Sequence, residues 1–130
     1  MDEKMYQEEL LEHFRKPKNN ILIDDPDFYA EEKNPSCGDE LAMTGKISGD
    51  VLVGIGFQGR GCVISQATAS MLAEQSIGKK NDDLLALTPD DITQLIGITL
   101  GPVRLRCALL ALQVLQQGIV QFEKNKKIED

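Results

Sequence analysis

The apolar residues of this chain change their spacing once. Between Leu41 and Phe57 they alternate with polar or small residues, and from Val63 onward they recur every three or four positions. Alternation marks a strand with one buried face, and three-four spacing marks a helix with an apolar stripe. Strands followed by helices, rather than interleaved with them, favour an α+β domain over a doubly wound parallel sheet. At 130 residues the chain is long enough to close one core, so residues 1–130 are read as a single domain.

The punctuation within that frame is local. Leu41–Ser48 and Val51–Phe57 read as two strands joined by a tight turn at Gly49-Asp50, and Gln58-Gly59-Arg60-Gly61 as a glycine-bearing turn that delivers Cys62. A helix is expected over Val63–Ile77 with Gly78 as its cap. Another starts at Thr88-Pro89-Asp90-Asp91 and stops at Gly97. The last begins after Pro102, carries Leu105, Leu109, Leu112, Leu115 and Ile119, and reaches Phe122, with a fraying tail over Glu123–Asp130. Upstream, residues 3–16 place Tyr6, Leu10 and Phe14 on one helical face, closed by Pro17. Residues 24–40, rich in Asp, Pro, Asn, Gly and Ser, read as a long irregular connection.

Charge narrows the function classes. With 14 basic and 21 acidic residues the net charge is −7, which argues against nucleic acid and anionic membranes as partners. No apolar run is read as long enough to span a bilayer, and the start Met-Asp-Glu-Lys-Met-Tyr lacks a basic segment followed by an apolar one. A cytoplasmic protein with reduced thiols is expected.

The thiols carry the chemistry. Cys37, Cys62 and Cys107 are odd in number and far apart in sequence, so a disulfide framework is disfavoured. Cys37 lies in the polar stretch Asn34-Pro-Ser-Cys-Gly-Asp39, Cys62 at a glycine-rich turn opening a helix, and Cys107 in the first turns of the last helix. Buried structural cysteines usually sit inside apolar runs, whereas two of these flank glycine at loop junctions. Three unrelated thiols is the plain alternative. If they converge, they offer three thiolates to one soft metal, and Asp39, across Gly38 from Cys37, is the natural fourth ligand. Such a set suits zinc, or an iron–sulfur cluster in which the harder carboxylate makes ligation labile. There is no Cys-x-x-Cys pair of the zinc-ribbon kind. Arg104 and Arg106 would lower the Cys107 pKa if they face it, or are simply a solvated helix face. His13, the one histidine, is expected in a surface or capping role.

At these residues the chain resembles the U-type iron–sulfur cluster scaffold family (IscU, SufU and the NifU N-terminal domain). Asn34-Pro-Ser-Cys37-Gly-Asp39, Gly59-Arg-Gly-Cys62-Val-Ile-Ser65-Gln-Ala-Thr-Ala-Ser70 and Pro102-Val-Arg-Leu-Arg-Cys107-Ala match its three cysteine motifs, and Leu11-Glu12-His13-Phe14 with Pro17-Lys18-Asn19 its N-terminal helix and turn. The resemblance implies a SufE/NifU-like fold: an antiparallel sheet of about three strands covered on one face by helices, with the metal site at one end. It implies Cys37, Asp39, Cys62 and Cys107 as ligands of a transient [2Fe–2S] cluster or of Zn²⁺. Cys107 and Cys37 are the implied candidate acceptors of persulfide sulfur. The implied partners are a cysteine desulfurase of the IscS or SufS type and apo iron–sulfur acceptor proteins. Two positions depart from IscU-type members. Arg106 stands where those have a histidine, and a guanidinium cannot ligate. Leu100-Gly-Pro-Val-Arg104 replaces their chaperone-binding Leu-Pro-Pro-Val-Lys, so a chaperone interaction is not carried over. Both lean towards a SufU-type, zinc-dependent sulfurtransferase as the alternative to a scaffold, whereas the 45-residue gap from Cys62 to Cys107 is too short for the insertion that SufU-type members carry there, so both subgroups stay open. A zinc-stabilised interaction domain is a third reading, one whose fold would collapse on chelation.

Overall fold

The computed structural model of the chain describes residues 2–35 and 38–129. Eight elements follow in order: α1 (Glu3–Arg15), β1 (Phe28–Asn34), β2 (Asp39–Ser48), β3 (Val51–Arg60), α2 (Val63–Ser76), α3 (Asn81–Leu85), α4 (Pro89–Ile96) and α5 (Pro102–Glu129). The strands form one antiparallel sheet in the order β1-β2-β3. Gly49, at φ +64°, makes the tight turn between β2 and β3. Met43 then pairs with Phe57, and Leu41 with Gly59. Leu41, Met43, Ile55 and Phe57 enter the same buried core as Leu72 and Ala73 of α2 and Ala111, Val114 and Leu115 of α5.

The expectation of an irregular stretch over residues 24–40 is corrected by β1. Its fully buried residues are only Phe28 and Ala30, with Glu32 and Asn34 half-buried on the same face, while Tyr29, Glu31 and Lys33 are exposed. Alternation is hidden because the outward positions carry the charges that protect a sheet edge. The glycine-bearing turn expected at residues 58–61 is likewise mostly strand, since β3 runs through Arg60. Its glycines answer to close neighbours: a Cβ on Gly56 would strike the Ile21 carbonyl. That carbonyl belongs to a segment crossing the outer sheet face, where Ile23 N–H donates to Thr44 Oγ1 at 2.9 Å and Phe57 N–H to Asn19 O at 2.9 Å.

Helix limits follow their local signals where those exist. At α4, Thr88 and Asp91 form a reciprocal capping box, Pro89 takes the first turn, and Gly97 ends the helix in the left-handed region. On α1, Leu10 is buried while Phe14 is 41% exposed, so the expected face is only partly spent on the core. His13 is not a simple surface or capping residue. Its Nδ1 lies 2.8 Å from Ser70 Oγ on α2, and the same Oγ accepts the Lys18 N–H at 2.7 Å, which fastens α1 and the following turn to α2. Helix α2 stops at Ser76, one residue short of the expectation, with Ile77 as its extended C-cap.

The expected fraying tail is helical through Glu129. Glu123 accepts a hydrogen bond at 3.1 Å from the buried Asn81 side chain, an anchor that charge composition alone conceals. Helix α3, not anticipated, starts there, and its end is held by Gln116 Nε2 donating to the carbonyls of Leu84, Leu85 and Leu87. Helix α5 also corrects the reading that no run could span a bilayer. Within residues 102–127 an 18-residue window is long and apolar enough by length and composition, with a mean hydropathy of 1.2, and half of that window is buried inside the fold. The buried half packs on the sheet and α2, while Val103 and Val120 stay exposed.

Candidate metal centre

Three of the four expected ligands converge where β2 begins, β3 ends and two helices start. Asp39 is the first residue of β2, Cys62 the N-cap of α2, and Cys107 lies in the second turn of α5. Their ligand atoms all lie within 4.8 Å of one another. Asp39 and Cys107 are buried, at 1% and 3% exposure, and Cys62 is half-buried. Cys37 lies outside the described residues. The segment bearing it is bounded by a hydrogen bond from Gly38 N–H to Asn34 O at 2.8 Å.

Asp39 links the centre to the fold. Its Oδ1 accepts the Cys62 backbone N–H at 2.8 Å, and its Oδ2 accepts the Cys62 thiol at 3.3 Å. The Cys62 side chain makes no capping bond, so the Asp39 carboxylate meets the positive end of α2 in place of one. Within α2, Ser65 Oγ donates to the Cys62 carbonyl at 3.1 Å and accepts from Gln66 Nε2 at 3.2 Å.

Gly61 makes that approach possible. Its φ of +140° disfavours side chains, and a Cβ there would run into Asp39 Oδ1 and the Asp39 backbone. Gly61→Ala is therefore expected to displace Asp39 from Cys62, to cost about 1–3 kcal/mol in backbone strain, and to weaken metal binding at least tenfold. Denaturant titration and competition with a chromophoric chelator check both.

On the opposite sheet face, Glu40 pairs in register with Lys33 and Arg60, at 3.4 and 3.0 Å. The Arg60 guanidinium, hydrogen-bonded to Glu40, holds its carboxyl below the usual range, with Lys33 adding to the effect. This exposed row crosses the sheet at the bases of both loops that lead to the centre. Arg104 and Arg106 are exposed, as the solvated-face reading expected, and Arg106 lines a shallow cleft with Lys33, Asn34 and Gln113.

The donor set fits a soft metal. Two thiols and a carboxylate already face one another, and thiolate–carboxylate sets accept zinc or iron. The buried Asp39 carboxylate already accepts the Cys62 N–H and thiol, which holds its oxygens beside the two sulfurs.

Comparison with known proteins follows this geometry. Residues 5–129 match the NifU-like N terminal domain. The zinc-dependent sulfurtransferase SufU of Bacillus subtilis (strain 168) is 29% identical over 136 aligned positions, covering 92% of each chain. The iron–sulfur cluster assembly scaffold protein IscU 1 of Archaeoglobus fulgidus is 34% identical over 126 positions, covering 96% of this chain and 82% of that one. Among solved structures, FiSufU of thermophilic Fervidobacterium islandicum AW-1, a candidate cluster assembly scaffold of the SUF system, superposes with a TM-score of 0.78 at 25% identity, over 92% of this chain and 99% of that one. The N-terminal NifU-like protein of Brucella abortus shares the fold, with a TM-score of 0.78 at 20% identity and 94% of this chain covered.

Proposed function

The chain belongs to the NifU-like N-terminal domain family, and from that premise we propose that it is an iron–sulfur cluster assembly scaffold. It accepts sulfur from a cysteine desulfurase of the IscS or SufS type, combines it with iron into a transient [2Fe–2S] cluster, and passes the cluster to apo-proteins in the cytoplasm. The observation that carries this reading is the gathering of Asp39, Cys62 and Cys107 within 4.8 Å. Cys37 completes the ligand set. No catalytic turnover of its own is required: the protein holds cargo and gives it up.

Lability follows from the donors. Thiolates match iron in softness, whereas a carboxylate is a harder and weaker partner beside them. Asp39 also has a competing use, because the Cys62 N–H and thiol take back its oxygens when metal leaves. Asp39→Ala is therefore expected to lengthen the life of a bound cluster while costing about 1 kcal/mol through the lost cap on α2. Decay of the visible spectrum in air checks the first effect; a shorter-lived cluster would contradict the role.

A specific residue favours a second reading. Arg106 stands immediately before the third cysteine and cannot ligate. In this reading the protein is a zinc-dependent sulfurtransferase partner that receives persulfide from the desulfurase on Cys107 or Cys37. Zinc held by Cys37, Asp39, Cys62 and Cys107 would keep the thiols ordered and deprotonated.

One anaerobic experiment separates the two. The protein is incubated with iron, cysteine and a desulfurase while its visible spectrum is followed. Sulfide-to-iron charge-transfer bands on the protein support the scaffold. A colourless protein that keeps its zinc while desulfurase turnover rises with its concentration supports the sulfur carrier.

A further inference from the structure

Sulfur handed over as a persulfide is zero-valent, whereas cluster sulfide is fully reduced, so each atom needs two electrons. We infer that Cys62 and Cys107 supply them, as a dithiol pair that expels the accepted sulfur as hydrogen sulfide. This deepens the sulfur-accepting role proposed above and rests on it.

The geometry is that of a resolving pair. The two Sγ atoms lie within 4.8 Å of each other and neither is in a disulfide. They differ in setting: Cys107 is buried inside a helix, while Cys62 is half-buried at a helix N-cap, directly after Gly61. A disulfide needs the sulfurs at about 2.05 Å, and the Cys62 end, at a turn rather than within a helix, is the end able to move. The Asp39 carboxylate already orients the Cys62 sulfur, at 3.3 Å.

Written for a persulfide on Cys107, the Cys62 sulfur attacks Cys107 Sγ. The bond from Cys107 Sγ to the outer sulfur breaks, and the Cys62–Cys107 disulfide forms. The outer sulfur leaves with the electron pair as hydrosulfide and takes the Cys62 thiol proton, giving hydrogen sulfide. The two cysteines together lose two electrons and the sulfur gains two. Hydrosulfide is a weaker base than a cysteine thiolate and so the better leaving group. A small dithiol reductant reopens the disulfide for the next sulfur.

The test uses the full chain, stripped of metal and reduced, treated anaerobically with inorganic tetrasulfide and then alkylated. The expected result is a chain that takes up one alkyl group instead of three and is otherwise lighter by about 2 Da, a Cys62–Cys107 cross-linked peptide, and hydrogen sulfide released in proportion to that disulfide. Cys62→Ala and Cys107→Ala should each lower sulfide release at least tenfold and leave a persulfide, heavier by about 32 Da, on the remaining cysteines. A stable persulfide on the unaltered chain overturns the pair while leaving sulfur acceptance intact, as does a cross-link through Cys37. A chain that gains no sulfur and forms no disulfide overturns both the pair and the sulfur-accepting reading.

Discussion

Cys62→Ala and Cys107→Ala are each expected to abolish retention of metal or cluster, with affinity falling more than about 100-fold, while the fold survives. Loss of a residue that merely orients a ligand already costs about 10–100-fold, and here a thiolate itself is removed from the proposed set of four. The fold survives because its core is built elsewhere. Leu41, Met43, Phe57, Leu72, Ala111 and Leu115 are fully or nearly fully buried without any part in the centre. Removing the buried Cys107 sulfur leaves a small void at the core margin, worth about 1 kcal/mol. Metal analysis after gel filtration, beside a far-ultraviolet circular dichroism spectrum matching the parent, checks both halves. Collapse of the spectrum on loss of metal would instead favour a zinc-stabilised domain.

Phe28→Ala is expected to cost about 3–5 kcal/mol, near the top of the range for large-to-small core changes. The ring is 3% exposed and sits between two glycines, Gly45 opposite it on β2 and Gly118 on α5. A Cβ at either glycine would strike the ring, so both positions are kept empty for it. Glycine has no side chain to swing into the void, and β2 and α5 are held by many other contacts, so the cavity stays open. In a domain of this size the loss corresponds to a melting temperature lower by about 10–20 °C. Because β1 ends at Asn34, where the Cys37 segment starts, metal affinity should fall as well. Calorimetry with and without zinc measures the two effects separately.

What could be read from the chain depended on whether the deciding contact was local. Helix α4 was legible because Thr88, Pro89, Asp91 and Gly97 each carry their own signal. Strand β1 was not, because the apolar part of its inward face is only Phe28 and Ala30 and the neighbours of Phe28, Gly45 and Gly118, are distant in sequence. The helical tail was hidden for the same reason: Glu123 is held by Asn81, 42 positions away. The glycines of β3 read as a turn, whereas Gly56 and Gly59 answer to neighbouring backbone, the Ile21 and Glu40 carbonyls.

At the centre, the expected donor types came from the loop positions of the cysteines and from the Cys-Gly-Asp step. Their convergence came from the motif resemblance, and for Asp39, Cys62 and Cys107 the structure brings it about through strand register. Leu41 pairs with Gly59, which sets Asp39 beside Gly61 and Cys62. Nothing in the spacing alone signalled that Gly61 must lack a side chain for Asp39 to reach Cys62.

The central claim, that the centre holds a cluster in order to release it, is tested most directly by cluster transfer. The protein, loaded anaerobically with iron and sulfide, is mixed with an apo-ferredoxin in the presence of a strong iron chelator. The scaffold's charge-transfer bands are expected to fade as the ferredoxin's spectrum appears in equal amount, with little iron reaching the chelator, and Asp39→Ala is expected to slow the exchange. A cluster that stays on the protein, or whose iron passes to the chelator before the ferredoxin is filled, would contradict it.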